Sequence, residues 1–197
     1  MVTGSPAMVS ARLDWSERTA KWLQKAVTAG ITVLGVCYGH QLLAHALGGT
    51  AGPNPAGRQI GTVKSQLIDI KGNDPLLGYL PVTFAAQTSH SEVVLEVPAG
   101  AQRLATSPLD ENFAIRFAEN AWGVQFHPEF SAPVMRRYIE LRNDAIRAEG
   151  LDPDALLAQV TDTPEAEIDS YEFPRSGSAV SSLDEAATLL PFLGLAL

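Results

Sequence analysis

The sequence predicts an α/β fold, on three observations. Residues 14–28 carry Trp15, Trp22, Leu23, Ala26 and Val27 at helical spacing on one face. Residues 31–36 form a short apolar run of the kind buried on both faces of a parallel sheet. A glycine-flanked turn then enters a second helix at once, and helix, buried strand, tight turn, helix is α/β layering.

Each element follows from local chemistry. Val2-Thr3 reads as the end of a strand and Gly4-Ser5-Pro6 as a turn. Asp14 or Ser16 is expected to cap the first helix, which runs to about Thr28 and stops at Gly30. The second helix covers 39–47 and closes at Gly48-Gly49. A Pro/Gly-rich loop over 52–57 leads to strands expected at 59–70, 82–86, 93–97, 103–106, 113–117 and 122–126. Asn73-Asp74-Pro75, Pro98-Ala99-Gly100 and Glu119-Asn120 supply turns between them. Ser131 starts a helix to about Ala148, with Val134, Met135, Tyr138, Ile139, Leu141 and Ile146 as its apolar side. Asp152-Pro153 opens one more short helix, with proline at the first helical position. Trp15, Trp22 and Trp122 are expected in the core. Past Thr161, prolines and Ser176-Gly177-Ser178 punctuate the chain, and Ser182-Leu183-Asp184-Glu185 reads as a capping box before an apolar end.

Composition bounds the rest. The 197 residues suit one domain, and 46% hydrophobic content can bury a sizeable core. A net charge of −8 argues against sequence-independent nucleic-acid binding, which needs a basic face. That charge is uneven: residues 1–150 hold 13 acids and 13 bases, whereas 151–197 hold 9 acids and only Arg175. The break predicts a body, 1–160, and an acidic, poorly ordered extension, 161–197. Cys37 stands alone, which excludes an internal disulfide and a cysteine-rich zinc cage and fits a reducing, cytoplasmic setting. The opening residues lack a secretory pattern, and the apolar run 186–197 is short and broken by Pro191, so no membrane partner is expected.

The residues capable of chemistry gather at two strand ends. Gly35-Val36-Cys37-Tyr38-Gly39 leaves a buried strand and enters a helix, the context of a nucleophile elbow with cysteine in the serine position. The sharp turn lifts the side chain above the sheet, and the flanking glycines remove Cβ atoms that would clash. A sulfur there meets a helix N-terminus, whose dipole and free N–H groups favour thiolate. The Tyr38 N–H points where an oxyanion would form. On the elbow alone, a packed core thiol is an equal reading, because free cysteine is commonly buried. The second feature is His127-Pro128-Glu129, where Pro128 favours extended geometry at His127 and alternation puts His127 and Glu129 on one side. A carboxylate beside an imidazole fixes its tautomer and stabilises the imidazolium. Alone, this segment reads as a solvated turn. Both features sit at the C-terminal ends of expected strands, the edge where open α/β sheets place their sites. His40 and His45 read as ordinary core or surface histidines, and His90 as either pocket lining or a structural hydrogen bond.

Gly-Val-Cys-Tyr-Gly-His-Gln at 35–41, together with His-Pro-Glu at 127–129, resembles the class I (triad-type) glutamine amidotransferases. The likeness is to the amidotransferase domain of GMP synthase and its free-standing relatives, and it runs from Val2 to about Pro164. It implies a three-layer, mostly parallel open sheet with helices on both faces, flavodoxin-like, whose first strands this chain is expected to lack. Residues 1–160 then form an amidotransferase-like domain incomplete at its N-terminus, and the tail past about Ala166 matches nothing in the family. The resemblance makes Cys37, His127 and Glu129 catalytic, and Gly4 and Tyr38 the oxyanion N–H donors. It makes Gln41 a contact to the substrate glutamine. Ser89 and His90 line the pocket in a Ser-His-x-Asp-like segment with Glu92 for Asp. The implied reaction is hydrolysis of the glutamine side-chain amide through a glutamyl thioester, with no metal and no cofactor.

No phosphate-binding Gly-rich loop is visible, so the ammonia is expected to pass to a separate synthetase or acceptor subunit. Two alternatives stand beside this: a γ-glutamyl peptide hydrolase, and an inactive interaction domain that lost activity with its first strands. The cysteine-elbow protease and chaperone group on a similar fold ranks last, because it lacks the His-Pro-Glu pattern.

Overall fold

Two short parallel strands at one end of a sheet position everything else in the computed structural model, whose description covers residues 1–68 and 74–166. A 3₁₀ turn (Val9–Ala11) and α1 (Asp14–Thr28) precede β1 (Val33–Val36), and α2 (Tyr38–Ala46) follows with only Cys37 between. The middle of the chain is β2 (Thr50–Pro53), β3 (Gln59–Leu67), β4 (Thr83–His90), β5 (Glu92–Glu96), β6 (Gln102–Ser107), β7 (Asp110–Ala118) and β8 (Ala121–Val124). Helices α3 (Ala132–Leu141), α4 (Asn143–Ala148) and α5 (Pro153–Gln159) and a 3₁₀ turn (Pro164–Ala166) complete it.

The fold is the α/β, three-layer class expected from the sequence. Its six-stranded sheet runs β1-β8-β7-β6-β3-β4, and β2 and β5 form a separate antiparallel ribbon. The sheet is mixed rather than mostly parallel. Among the described strands only β1 and β8 pair in parallel, in register from Val33 with Ala121 to Val36 with Val124, and Val2 adds a parallel bridge to Gly35 on the outer side. The remaining pairs in the sheet are antiparallel. The cause is connection length: β6–β7 and β7–β8 are joined through Pro108-Leu109 and Glu119-Asn120, and two-residue links permit only antiparallel neighbours.

Apolar side chains divide between the faces. Val33, Ile115, Phe117 and Ala121 pack with Leu23, Val27, Leu42 and Leu43 of α1 and α2. Leu34, Val36, Phe113, Trp122 and Val124 pack on the opposite side with Leu76, Leu77, Leu80 and Ala166. Met135, Ile139 and Ile146 of α3 and α4 close over Ile60 and Val160.

Four local expectations are corrected. Trp15 and Trp22 are 42% and 60% exposed, because α1 buries Ser16, Ala20, Leu23 and Val27, a stripe one residue to the side. Leu13, without a side-chain hydrogen bond, is the N-cap of α1, and the Ser16 hydroxyl is used instead against Tyr38. Thr50–Pro53, read partly as loop, is a strand, and its proline sits at the terminal position where a ribbon tolerates a missing donor. The helix from Ser131 breaks at Arg142 (φ −106°, ψ 13°), leaving Leu141 exposed.

Past α5 the chain stays against the body: the Thr161 N–H donates to Thr62 Oγ1 at 3.0 Å, and Gln87 Nε2 donates to the Thr161 carbonyl at 2.8 Å. Residues 167–197, with the expected capping box and apolar end, lie outside the described residues, as do 69–73, which held the end of the strand expected at 59–70. Among the described residues no helix is long and apolar enough to cross a membrane.

One buried acid makes stability pH-dependent. Burial at the β6–β7 turn pushes the Asp110 carboxyl up to about 6; the Asn112 N–H, bonded to Oδ1 at 2.8 Å, opposes this, and Glu111 adds to it. A raised folded-state pKa favours the protonated form, so this contribution is complete below the ordinary value of 3.8 and is lost as pH rises through about 6. Asp110→Asn is expected to shrink the fall in melting temperature between pH 4 and pH 8, measured by thermal denaturation.

Candidate active site

Cys37 occupies the junction of β1 and α2 with φ 51° and ψ −107°, a left-handed backbone rarely adopted by residues with a side chain. Such conformations cost on the order of 1–3 kcal/mol and persist where the surroundings over-determine them. Here the Cys37 N–H extends the strand pairing by donating to Val124 O at 2.8 Å, and its carbonyl accepts from Gln41 N at 3.1 Å to start α2. The flanking glycines are explained by contact. A Cβ on Gly35 would stand 2.4 Å from the Gly39 carbonyl oxygen, and one on Gly39 would stand 2.1 Å from the Val2 carbonyl oxygen. Strand, turn, helix and N-terminal segment therefore meet through bare backbone, and the thiol is buried beneath them at the N-terminus of α2.

His127 arrives from β8. After Val124 the chain crosses toward β4, where the His127 N–H donates to Gln87 O at 2.8 Å. Nδ1 donates to Glu129 Oε1 at 2.7 Å, and the ring lies next to Cys37, both bordering Gly4. Burial disfavours the charged imidazolium, but the neighbouring Cys37 and the hydrogen-bonded Glu129 favour it and outweigh burial, and the ring is pushed up to about 10. The structure thus brings together Cys37, His127 and Glu129, which sequence reasoning assigned to two separate strand ends.

The surrounding groups sort by where their hydrogen bonds go. Gly4 lies against the pair: a Cβ there would meet His127 Cε1 at 3.0 Å and Cys37 Cβ at 3.9 Å. Tyr38 contributes its backbone to the first turn of α2, while its buried hydroxyl pairs with Ser16 Oγ at 2.5 Å. The Ser89 carbonyl lies 3.8 Å from Cys37 Sγ, and its buried Oγ has no hydrogen-bond partner among the described residues. Gln41 is buried with Nε2 donating to Glu92 O at 2.7 Å and to Gln125 Oε1 at 3.1 Å, inside the fold. His90 Nδ1 donates to Glu92 O at 3.0 Å, Nε2 lies 3.2 Å from Gln59 Oε1, and burial pulls its pKa down to about 4.

His40 is a core residue, with Nε2 donating to Asn112 O at 2.9 Å and burial lowering its pKa to about 3. His45 pairs with Glu17 at 3.0 Å. Phe130 escaped sequence reasoning. Its ring stacks on His127 with centroids 4.3 Å apart and planes 18° from parallel, so it limits rotation of the imidazole. An aromatic residue directly after His-Pro-Glu was the available signal.

The family described as glutamine amidotransferase class-I matches residues 1–145. GMP synthase (glutamine-hydrolysing) of Aeropyrum pernix is 35% identical over 129 residues, 66% of this chain and 23% of that protein. Gamma-glutamyl peptidase 3 of Arabidopsis thaliana is 28% identical over 145 residues, 71% of this chain and 57% of that protein. The crystal structure of a glutamine amidotransferase from Thermotoga maritima superposes with a TM-score of 0.66 at 25% identity, over 79% of this chain and 66% of that one. The chain spans about a quarter of the length of the GMP synthases it matches.

Proposed function

The chain belongs to the class I glutamine amidotransferase family, and from that premise we propose that it hydrolyses the side-chain amide of glutamine to glutamate and ammonia. The observation that carries the proposal is Cys37 on a strained elbow beside His127, both against Gly4, with His127 hydrogen-bonded to Glu129. In the proposed reaction the Cys37 thiolate attacks the carboxamide carbon, with the thiol proton held on His127 Nε2. The carbonyl π electrons move onto oxygen, where the N–H groups of Tyr38 and Gly4 receive the charge. Collapse expels the amide nitrogen, which takes the His127 proton and leaves as ammonia. Water then gives a proton to His127 and attacks the thioester, and glutamate departs as Cys37 is restored.

Glu129 holds Nδ1 throughout, so the ring presents Nε2. Ser89, whose carbonyl lies 3.8 Å from the sulfur and whose buried hydroxyl has no partner among the described residues, supports a role in binding substrate. Gln41 and His90 border the site, and this reading assigns their side chains to holding its walls. Transfer of ammonia to a separate acceptor or synthetase subunit and a cytoplasmic setting belong to the same proposal, the latter supported by the single free thiol.

Ammonia release from glutamine, measured on the purified chain, tests the reading; none released at any pH between 6 and 10 rejects it. The gamma-glutamyl peptidase relative favours one alternative, hydrolysis of γ-glutamyl peptides. A comparison of glutamine with γ-glutamyl dipeptides at equal concentration separates the two. For an inactive interaction domain, Cys37 would alkylate no faster than a free thiol.

The charge state of His127 fixes a pH prediction. Loss of its proton removes the acid that serves the leaving ammonia, so kcat falls on the basic side as pH passes His127's raised pKa. Glu129 contributes to that rise, so Glu129→Gln moves the basic limb of the kcat–pH profile to lower pH and lowers kcat. An unmoved limb would show that the carboxylate does not govern the imidazole.

A further inference from the structure

The N-terminal segment that carries Gly4 is held at two points. One is on β1, where Val2 N donates to Leu34 O and Val36 N donates to Val2 O, each at 2.8 Å. The other is Glu92, the first residue of β5, which is buried and whose carboxylate accepts from Val9 N at 2.8 Å, from Ser10 N at 3.4 Å and from the Ser10 hydroxyl. The carbonyl of the same residue accepts from Gln41 Nε2 on α2 at 2.7 Å and from His90 Nδ1 at 3.0 Å. Glu92 therefore joins three pieces that border the nucleophile: the N-terminal segment, the helix of the elbow and the end of β4. Its carboxylate faces Val9 and Ser10, away from the role of pocket lining that the Ser-His-x-Asp likeness suggested for its neighbours.

We propose that Glu92 is a positioning residue for the oxyanion donor, holding the Gly4 N–H beside Cys37 by anchoring Val9 and Ser10. The inference rests on the glutaminase reading of the site. Stabilisation of a developing oxyanion depends on donors fixed in advance, and small misplacements forfeit it. A carboxylate suits this place because it accepts from two backbone N–H groups and a hydroxyl at once; an amide keeps its oxygen on the N–H groups but reverses the bond to the Ser10 hydroxyl and loses the charge that strengthens all three.

The experiment uses Glu92→Gln and the milder Ser10→Ala in the full chain, with three readouts. In Glu92→Gln, kcat for glutamine falls on the order of 10–100-fold with KM little changed, since only transition-state stabilisation is lost. Alkylation of Cys37 by iodoacetamide, a displacement at saturated carbon that forms no oxyanion, stays within about twofold of wild type. The Val9 and Ser10 amides exchange with solvent on the order of 10-fold faster while those of β7 do not change. Ser10→Ala moves kcat and exchange the same way by less, and decides the matter if Glu92→Gln does not fold. An unchanged kcat, an alkylation rate that falls in step with kcat, or wild-type exchange at Val9 and Ser10 overturns the proposal. A wild-type chain that releases no ammonia overturns the glutaminase reading and this role together, and the exchange comparison, which needs no substrate, still tells whether Glu92 anchors the segment.

Discussion

Cys37→Ala abolishes ammonia release from glutamine, a loss of at least about 10⁴-fold, and leaves the melting temperature within a few degrees of wild type. The magnitude follows from chemistry: no other thiol exists in the chain, and a methyl group cannot form the thioester. The small effect on folding follows from structure, because the elbow is held by backbone hydrogen bonds to Val124 and Gln41 and by bare glycine contacts, none of which uses the sulfur. The substitution also removes the partner that contributes most to raising His127, so the imidazole titrates well below about 10 in the variant, readable by NMR of the ring protons. Ammonia release equal to wild type would remove Cys37 as the nucleophile.

Gly35→Ala has the second largest expected effect, and it acts through the fold. The added methyl carbon would sit 2.4 Å from Gly39 O, 2.5 Å from Gly39 C and 2.7 Å from His40 N, all backbone of α2. No side-chain rotation relieves such contacts, so the helix must move off the strand. That opens the packing of Leu42 and Leu43 against Val33 and shifts Cys37 relative to His127. A destabilisation of about 3 kcal/mol is expected, with a melting temperature lower by roughly 6–12 °C. Glutaminase activity falls at least about 100-fold even in the folded fraction, because an ångström of displacement at the nucleophile is enough. Thermal denaturation with activity assayed on the folded protein checks both parts. A variant with wild-type activity would show that the close approach of strand and helix does not set the site.

What the sequence disclosed and what it hid divide along a physical line. Cysteine between two glycines and histidine before proline carry their chemistry in neighbouring residues, so the elbow and the His-Pro-Glu segment were readable where they stand. The meeting of Cys37 and His127 was not, because it depends on how β1 pairs with β8. The tryptophans misled for a related reason. Trp15 and Trp22 share helical spacing with Leu23, but the smaller Ser16 and Ala20 let α1 approach the sheet more closely, so the buried stripe shifts onto them. The β2–β5 ribbon was half-hidden by Gly52 and Pro53, which signal a loop until a partner strand is known. Glu92 looked like part of a substrate motif, and only the path of the N-terminal segment reveals what its carboxylate holds.

The parallel alignment of β1 with β8 also sets when the chemistry can exist. The elbow is a local structure, yet its base is encoded about 90 residues downstream and reaches the sulfur only when those two strands align. Contacts of such separation close a long loop of chain and belong to the slow, cooperative part of folding. A nascent or partly folded chain therefore carries the elbow cysteine without its histidine, and the two meet only with the last rung of the ladder.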